Sequence, residues 1–156
     1  MSRMIKSIVL AALLSSGVFV NAAAPDSPNR KFDEFGDIKC EDEMARLDNF
    51  AVQMQNLPRS RGAIIYFAGK MSGDQLPKRG EVEARVERIR SYLTKRRGIP
   101  AASLVVMNGG YDTNYRVQVW VVPPEAGLPK PEPSSSEKEI QYRPGKLNPR
   151  DYRCGI

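Results

Sequence analysis

The chain has 156 residues, with 24 basic and 18 acidic side chains, two cysteines and no histidine. Without histidine, Ser-His-Asp and Cys-His catalysis are excluded, and the commonest metal ligand is missing. The formal charge of +6 is mild and dispersed along the chain, so it does not indicate a nucleic-acid partner.

The N-terminus has the pattern of an export signal, which we assign to residues 1–23. Arg3 and Lys6 precede an apolar run from Ile8 to Val20, and three alanines at 22–24 offer small residues for cleavage. The run is shorter than the roughly 20 residues of a membrane span, so we expect no transmembrane segment after cleavage. The mature chain would carry 22 basic and 18 acidic residues. We expect it in the periplasm or cell envelope, with full secretion as the alternative.

Residues 24–30 are predicted to form a loose polar leader, and the first strand is predicted over Lys31–Phe35. A helix is predicted over Glu41–Gln55, because apolar residues recur on one face: Met44, Leu47, Phe50, Ala51 and Met54. Gly62–Ala68 is apolar on both faces, which is typical of a central strand. A polar loop is predicted from Gly69 to Arg79.

A second helix is predicted from Gly80, with its apolar stripe at Val82, Val86, Ile89 and Leu93. Gly98 and Pro100 end it. A short strand is expected at Leu104–Met107, followed by a turn at Gly109, Gly110 and Asp112. The last strand, Tyr115–Val122, alternates valines with Arg116, Gln118 and Trp120, which predicts one covered and one more exposed sheet face.

From Pro123 to Ile156 the chain is rich in proline and serine and is predicted to be an extended tail. An exported protein meets an oxidising compartment, so Cys40 and Cys154 are predicted to form one disulfide that fastens the end of this tail. Separate thiols or intermolecular pairing are the alternatives. Two cysteines without a CxxC spacing make a weak metal site. We therefore expect no metal and no cofactor.

The predicted order is strand, helix, strand, helix, strand, strand. Two helices that each carry one apolar stripe can bury both stripes against one face of a small sheet. The predicted fold class is therefore α+β, a two-layer sandwich with a small mixed sheet and two helices on one face.

Arg85, at the margin of the second helix's apolar face, has two interpretations. The first is a ligand contact, and the second is a solvated charge paired with Glu81 four residues earlier. Lys70, Ser72 and Asp74 lie in the loop after the central strand, where sites are often found, although an ordinary exposed loop is the alternative.

Other polar and aromatic residues admit a structural explanation. Tyr111, Asp112 and Asn114 fit turn chemistry as well as ligand contact. Trp120 could stack on a sugar, or cover a helix or the tail. The carboxylates at Glu83 and Glu87 face water opposite the apolar stripe, so neither is buried as a catalytic acid would be, and we expect no enzymatic activity.

Several segments together resemble the C-terminal domain of outer-membrane protein A (OmpA), which peptidoglycan-associated lipoproteins and flagellar stator proteins share. They are KFDEF before a helix, AIIYFAG as a central strand, EARVERIRSYLTKRRGIPAASLVVMNGG as a second helix with a Gly-Ile-Pro connector and strand, and YRVQVWV as a closing strand. The resemblance covers residues 31–122, which we take as the domain.

The resemblance implies a site for the diaminopimelate of the peptidoglycan stem peptide. In the family, an aspartate at the end of the central strand and an arginine in the second helix hold this ligand. Arg85 falls on the family arginine. Lys70 stands at the aspartate position, which reverses the charge there, and Asp74 is the nearest acid.

Two functional hypotheses follow from the resemblance. The first is an exported, non-enzymatic module that binds peptidoglycan through its stem peptide, with Arg85 as the carboxylate contact. The second is a structural or interaction module on the same fold, with an envelope protein or another anion as partner and with Lys70 and Arg85 forming a cationic pocket. A carboxylate-dependent wall hydrolase is a third and weaker alternative.

Overall fold

A computed structural model describes residues 29–154 of the chain. The predicted signal sequence, the leader up to residue 28 and the last two residues lie outside the described residues. Six main elements follow one another: β1 (Arg30–Phe35), α1 (Cys40–Asn56), β2 (Arg61–Lys70), α2 (Glu81–Ser91), β3 (Leu104–Asn114) and β4 (Arg116–Val122). The predicted order of elements and the α+β class are confirmed.

The four strands form one mixed sheet in the order β1-β4-β2-β3. β2 is an interior strand, as its two apolar faces predict. It pairs with β3 in parallel and with β4 antiparallel, and β4 also pairs antiparallel with β1. Parallel neighbours need a crossover connection, and α2 with the π-helical turn Tyr92–Arg96 supplies it between β2 and β3.

Both helices pack on the same face of the sheet. Their apolar stripes meet the inward side chains of β2 and β4 in one core cluster, which includes Leu47, Phe50, Met54, Val82, Val86, Ile89, Ile64, Val117 and Val119. Each of these side chains is at most 4% exposed. The periodicity of each helix therefore determines which of its sides faces the sheet.

The opposite sheet face is covered as well, although less completely: on β4, Arg116 and Trp120 stay partly exposed, as the alternation predicts, but the rest of this face of the strand is buried. Ile65 and Phe67 are fully buried on β2, and Gln118 is only 9% exposed. The cause is the tail: Ala126 packs with Ala63 and Val122, and Trp120 packs against the same cluster. Alternation along β4 could not reveal a cover that comes from an aperiodic segment.

Further along, the tail reaches the far edge of the sheet and then the helical layer. Ser135 forms an isolated β-bridge with Tyr111 on β3. The backbone N–H of Arg143 donates to the carbonyl of Pro77, before α2. The tail contains two short 3₁₀ turns, Glu137–Glu139 and Pro149–Tyr152, but no strand or α-helix up to residue 154. It therefore passes from one side of the sheet to the other.

The predicted turn at Gly109, Gly110 and Asp112 is wrong, because β3 continues through these residues to Asn114. β2 extends to Lys70 and supplies a partner for this additional length, with register shifts in the pairing near Ala68. Gly110 adopts a φ of +93°, which only glycine reaches without strain. The glycine is thus used for an irregularity inside the strand.

The short connection from β3 to β4 passes across the end of β2. The backbone N–H of Tyr115 donates to the carbonyl of Lys70 at 2.8 Å. A Cβ atom placed on Gly69 would lie 2.3 Å from the carbonyl carbon of Asn114. This close crossing requires a glycine at position 69.

The predicted disulfide is confirmed. Cys40, the first residue of α1, is bonded to Cys154, with their Cα atoms 5.5 Å apart. The bridge joins the tail to the helical layer, so both ends of the described tail are attached to the domain. Across residues 29–154, no helix combines the length and apolar character needed to cross a membrane.

Candidate functional site

Arg85 lies on α2 and is largely buried, with 14% of its side chain exposed. Its Nη2 donates to Glu81 Oε1 at 3.3 Å, the pair that the spacing of four residues predicts. Its Nη1 donates to Asp37 Oδ1 at 2.6 Å. The solvated interpretation of Arg85 is therefore wrong: the pair with Glu81 forms, but inside the fold.

Asp37 is the residue that sequence reasoning missed. It lies in the connection between β1 and α1. The backbone N–H of Ser72 donates to Asp37 Oδ2 at 3.1 Å, and the Ser72 hydroxyl donates to the Asp37 carbonyl at 2.6 Å. Asp37 thus joins the loop after β2 to Arg85 on α2. The pair is 48 positions apart in the sequence, and no local pattern indicates it.

Glu81 is the other buried carboxylate of this cluster, with a side chain 2% exposed. It accepts hydrogen bonds from the backbone N–H of Lys78 at 2.8 Å and from Arg143 Nη2 at 3.1 Å, besides Arg85. Burial alone would raise the pKa of Glu81, but these donors and the positive charges outweigh it and lower the pKa. Glu81 therefore stays ionised and cannot serve as a proton donor near neutral pH.

The guanidinium of Arg85 is also enclosed by aromatic rings. Its central carbon lies 5.6 Å from the ring centre of Tyr115 and 5.4 Å from that of Tyr152, within the range of cation–π attraction. Burial would lower the pKa of Arg85, yet Asp37, Tyr115 and Glu81 raise it. Arg85 Nε and the Tyr115 hydroxyl are buried and have no hydrogen-bond partner among residues 29–154.

A second buried ion pair lies one turn along α2. Arg88 donates to both carboxylate oxygens of Glu43 on α1, at 2.9 and 2.6 Å. Its Nη1 also donates to the carbonyl of Tyr152 at 3.0 Å. Two arginines of α2 thus contact Tyr152 of the tail: Arg85 contacts its ring, and Arg88 binds its backbone carbonyl.

Lys70 and Asp74 lie together at the end of β2, in contact with each other. Lys70 Nζ is 3.7 Å from Asp74 Oδ1, and the two side chains are 46% and 85% exposed. The loop folds back through a hydrogen bond from Met71 N–H to the Gln75 carbonyl at 2.7 Å. Of the predicted site residues, the structure therefore pairs Lys70 with Asp74, while the carboxylate partners of Arg85 are Asp37 and Glu81.

Lys70 lines a cavity of about 400 Å³ at the ends of β2 and β3, together with Thr113 and tail residues such as Ser135 and Glu139. Asp112, which borders the same cavity, is 8% exposed. It is paired with Arg116 and accepts a hydrogen bond from the backbone N–H of Ser134. Asp112 therefore anchors the tail.

The remaining candidates occupy structural positions. Trp120 packs against the cluster under the tail, as the covering interpretation predicts, but it is half-buried, so part of the residue remains exposed. Glu83 and Glu87 are exposed on α2. Glu87 Oε2 lies 3.1 Å from Arg90 Nε. Within residues 29–154, no three or more acidic or cysteine side chains form a group that could hold a metal ion.

Comparison of the sequence with models of known protein families finds no match, and comparison with curated proteins finds none either.

Proposed function

We propose that the chain is an exported, non-enzymatic binding module of the cell envelope, built on an OmpA-like domain and attached non-covalently to peptidoglycan. The observation that carries the proposal is the contact between Arg85 and Asp37. The resemblance requires one anionic and one cationic group in the same site, and Lys70 cannot supply the anion. Asp37 supplies it from a different loop.

The chemistry of the pair suits the amino-acid end of a diaminopimelate side chain, which carries an ammonium and a carboxylate. A guanidinium can bind a carboxylate through two N–H groups at once. Arg85 Nε is buried and has no partner among the described residues, so one such donor is unused. In the bound state the ligand carboxylate replaces Asp37 at Arg85, and the ligand ammonium takes Asp37 as its partner.

The second candidate function is a structural or protein-interaction module on the same fold. The closure of the site favours it, because Arg85 is already neutralised by two carboxylates and covered by the Tyr152 ring. In that case the cluster joins α2 to the β1–α1 connection and to the tail. The partner would be an envelope protein that contacts another surface.

A sedimentation assay with purified diaminopimelate-type peptidoglycan separates the two functions. The exported protein, its Arg85→Ala variant and an Arg90→Ala variant are each mixed with the polymer and centrifuged. Arg90 is the matched control, because it lies on the same helix but its side chain is 52% exposed. We expect wild type and Arg90→Ala to pellet and Arg85→Ala to stay in the supernatant.

Circular dichroism of each variant checks that loss of pelleting is not loss of folding. An Arg85→Lys variant adds a second check, because it keeps the positive charge but cannot bind a carboxylate through the two N–H groups of a guanidinium. If wild type remains in the supernatant, peptidoglycan binding is refuted and the interaction module stands. If folded Arg85→Ala pellets like wild type, Arg85 is not the contact.

A further inference from the structure

A cavity of about 570 Å³ lies between the second sheet face and the tail. β4 contributes Arg116, Gln118 and Trp120 to its lining, and the tail contributes a wall from Gly127 to Lys130. Small-molecule sites usually occupy about 300–1,000 Å³, so the cavity has the size of a ligand site. It lies on the opposite side of the sheet from α2 and Arg85.

One lining residue, Asn29, has an unused acceptor. Its Nδ2 donates to the Gly127 carbonyl at 2.8 Å, which fixes the orientation of the amide. Its Oδ1 is buried and accepts no hydrogen bond from residues 29–154. Because buried polar atoms in folded proteins nearly always have a partner, this oxygen indicates a place for a donor group that the described chain does not provide.

The charges around the cavity largely cancel, which argues against a strongly ionic ligand. Lys31 and Arg116 both approach Glu34 Oε2, at 2.9 and 3.2 Å. The tail adds one charge of each sign to the lining, Lys130 and Glu132. A neutral ligand that can both donate and accept hydrogen bonds fits this balance best.

Trp120 gives the cavity an aromatic wall. Its indole N–H donates to Gln118 Oε1 at 3.1 Å, and Gln118 Nε2 donates in turn to Glu34 at 2.8 Å, so the ring is held in place. Leu128 and Pro129 add apolar surface from the tail. An apolar wall beside a few fixed polar groups is typical of sites for ligands that are partly apolar and partly polar.

We propose that this cavity is a binding site for a neutral, hydroxyl-rich carbohydrate. A sugar hydroxyl donates to Asn29 Oδ1, other hydroxyls accept from the lysine side chains, and the C–H face of the ring lies on Trp120. The site does not depend on Arg85, because the cavity and Arg85 are on opposite faces of the sheet. It is therefore distinct from the proposed stem-peptide contact.

Trp120 is the only tryptophan of the chain, so its fluorescence reports on this cavity alone. The exported protein is titrated with a trimer of β-1,4-linked N-acetylglucosamine and, separately, with the corresponding glucose trimer. We expect a saturable fluorescence change with the first sugar. A response to the glucose trimer as well assigns the site to β-linked glucans in general, and its absence assigns it to acetamido sugars such as wall glycan.

The variant Asn29→Leu keeps the number and branching of the side-chain heavy atoms and removes the Oδ1 acceptor, together with the Nδ2 donor to Gly127. Asn56→Leu serves as the control for the same change of side chain, because Asn56 is exposed at the end of α1. We expect affinity to fall about fivefold or more for Asn29→Leu, the effect of one neutral hydrogen bond. Asn56→Leu should bind like wild type.

Three results would overturn the proposal: no saturable change in wild type with either sugar, equal affinity for wild type and Asn29→Leu, or loss of the response in folded Arg85→Ala. Calorimetry with the same trimer provides an independent measure of affinity and stoichiometry. Since the titration uses no stem peptide, its outcome is separate from that of the sedimentation assay.

Discussion

Removing the disulfide should reduce the free energy of unfolding substantially. The bridge between Cys40 and Cys154 spans a sequence separation of 114 residues. In the chain-entropy treatment, closing a loop of this length restricts the unfolded chain by about 5 kcal/mol. Domains of this size have a total free energy of unfolding of about 5–15 kcal/mol, so the bridge would supply a third or more of it.

The perturbation is the double variant Cys40→Ser/Cys154→Ser, measured by urea unfolding with circular dichroism. With a urea dependence of about 2 kcal/mol per molar, the midpoint should fall by about 2–3 M. The urea dependence itself should rise, because an unbridged denatured chain exposes more surface. Reduced wild-type protein should reproduce both changes.

A loss of less than about 1 kcal/mol would refute this reasoning, because it would mean that the bridge restricts the unfolded chain far less than its length implies. Trp120 fluorescence in the double variant provides the accompanying control. The tail retains its hydrogen bonds from Arg88 and to Glu81 without the bridge. The fluorescence should therefore remain native before the unfolding transition.

Three further predictions concern single positions. Arg88→Ala leaves Glu43 buried without its partner and should lower the free energy of unfolding by about 3–5 kcal/mol. Near-normal thermal stability of this variant would contradict the buried pair. The double variant Arg88→Met/Glu43→Leu should recover most of the loss. Gly69→Ala places a Cβ atom against backbone 2.3 Å away and should cost about 3 kcal/mol in urea unfolding, whereas Gly127→Ala, where nothing lies within 4 Å, should be close to neutral. Glu81 has a lowered pKa in the folded state, so its stabilising contribution is present above pH 4.5, its ordinary pKa, and is lost as the pH falls through the folded pKa. Glu81→Gln should therefore flatten the decline in the free energy of unfolding below pH 4.5. An unchanged dependence of stability on acid pH would refute the lowered pKa of Glu81.

The helices and the central strand could be predicted because their signals are local. The stripe from Met44 to Met54 defines one side of α1, and the two apolar faces of residues 62–68 indicate an interior strand. The order of strands in the sheet has no such local signal. The length of β3 beyond Met107 also depends on its partner, since the additional residues pair with the end of β2.

The candidate site was predictable to a smaller degree. The pair of Glu81 and Arg85 follows from helical spacing, and the cysteine count indicated the bridge. The contact of Arg85 with Asp37 depends on where the connection between β1 and α1 meets α2, and its contact with Tyr152 depends on the path of the proline-rich tail. Neither segment has a periodic pattern that would fix its position before the domain is assembled.

The place of β4 in the sheet has a consequence for folding. β4 is the last strand in the chain but lies between β1 and β2, and the first strand reaches the sheet only through it. Until β4 is in place, β1 has no strand partner, and β2 can pair only with β3. Such non-local pairing slows folding and leaves no N-terminal fragment that completes a sheet by itself. We therefore expect the domain to fold in one cooperative step, with no stable intermediate before β4 joins.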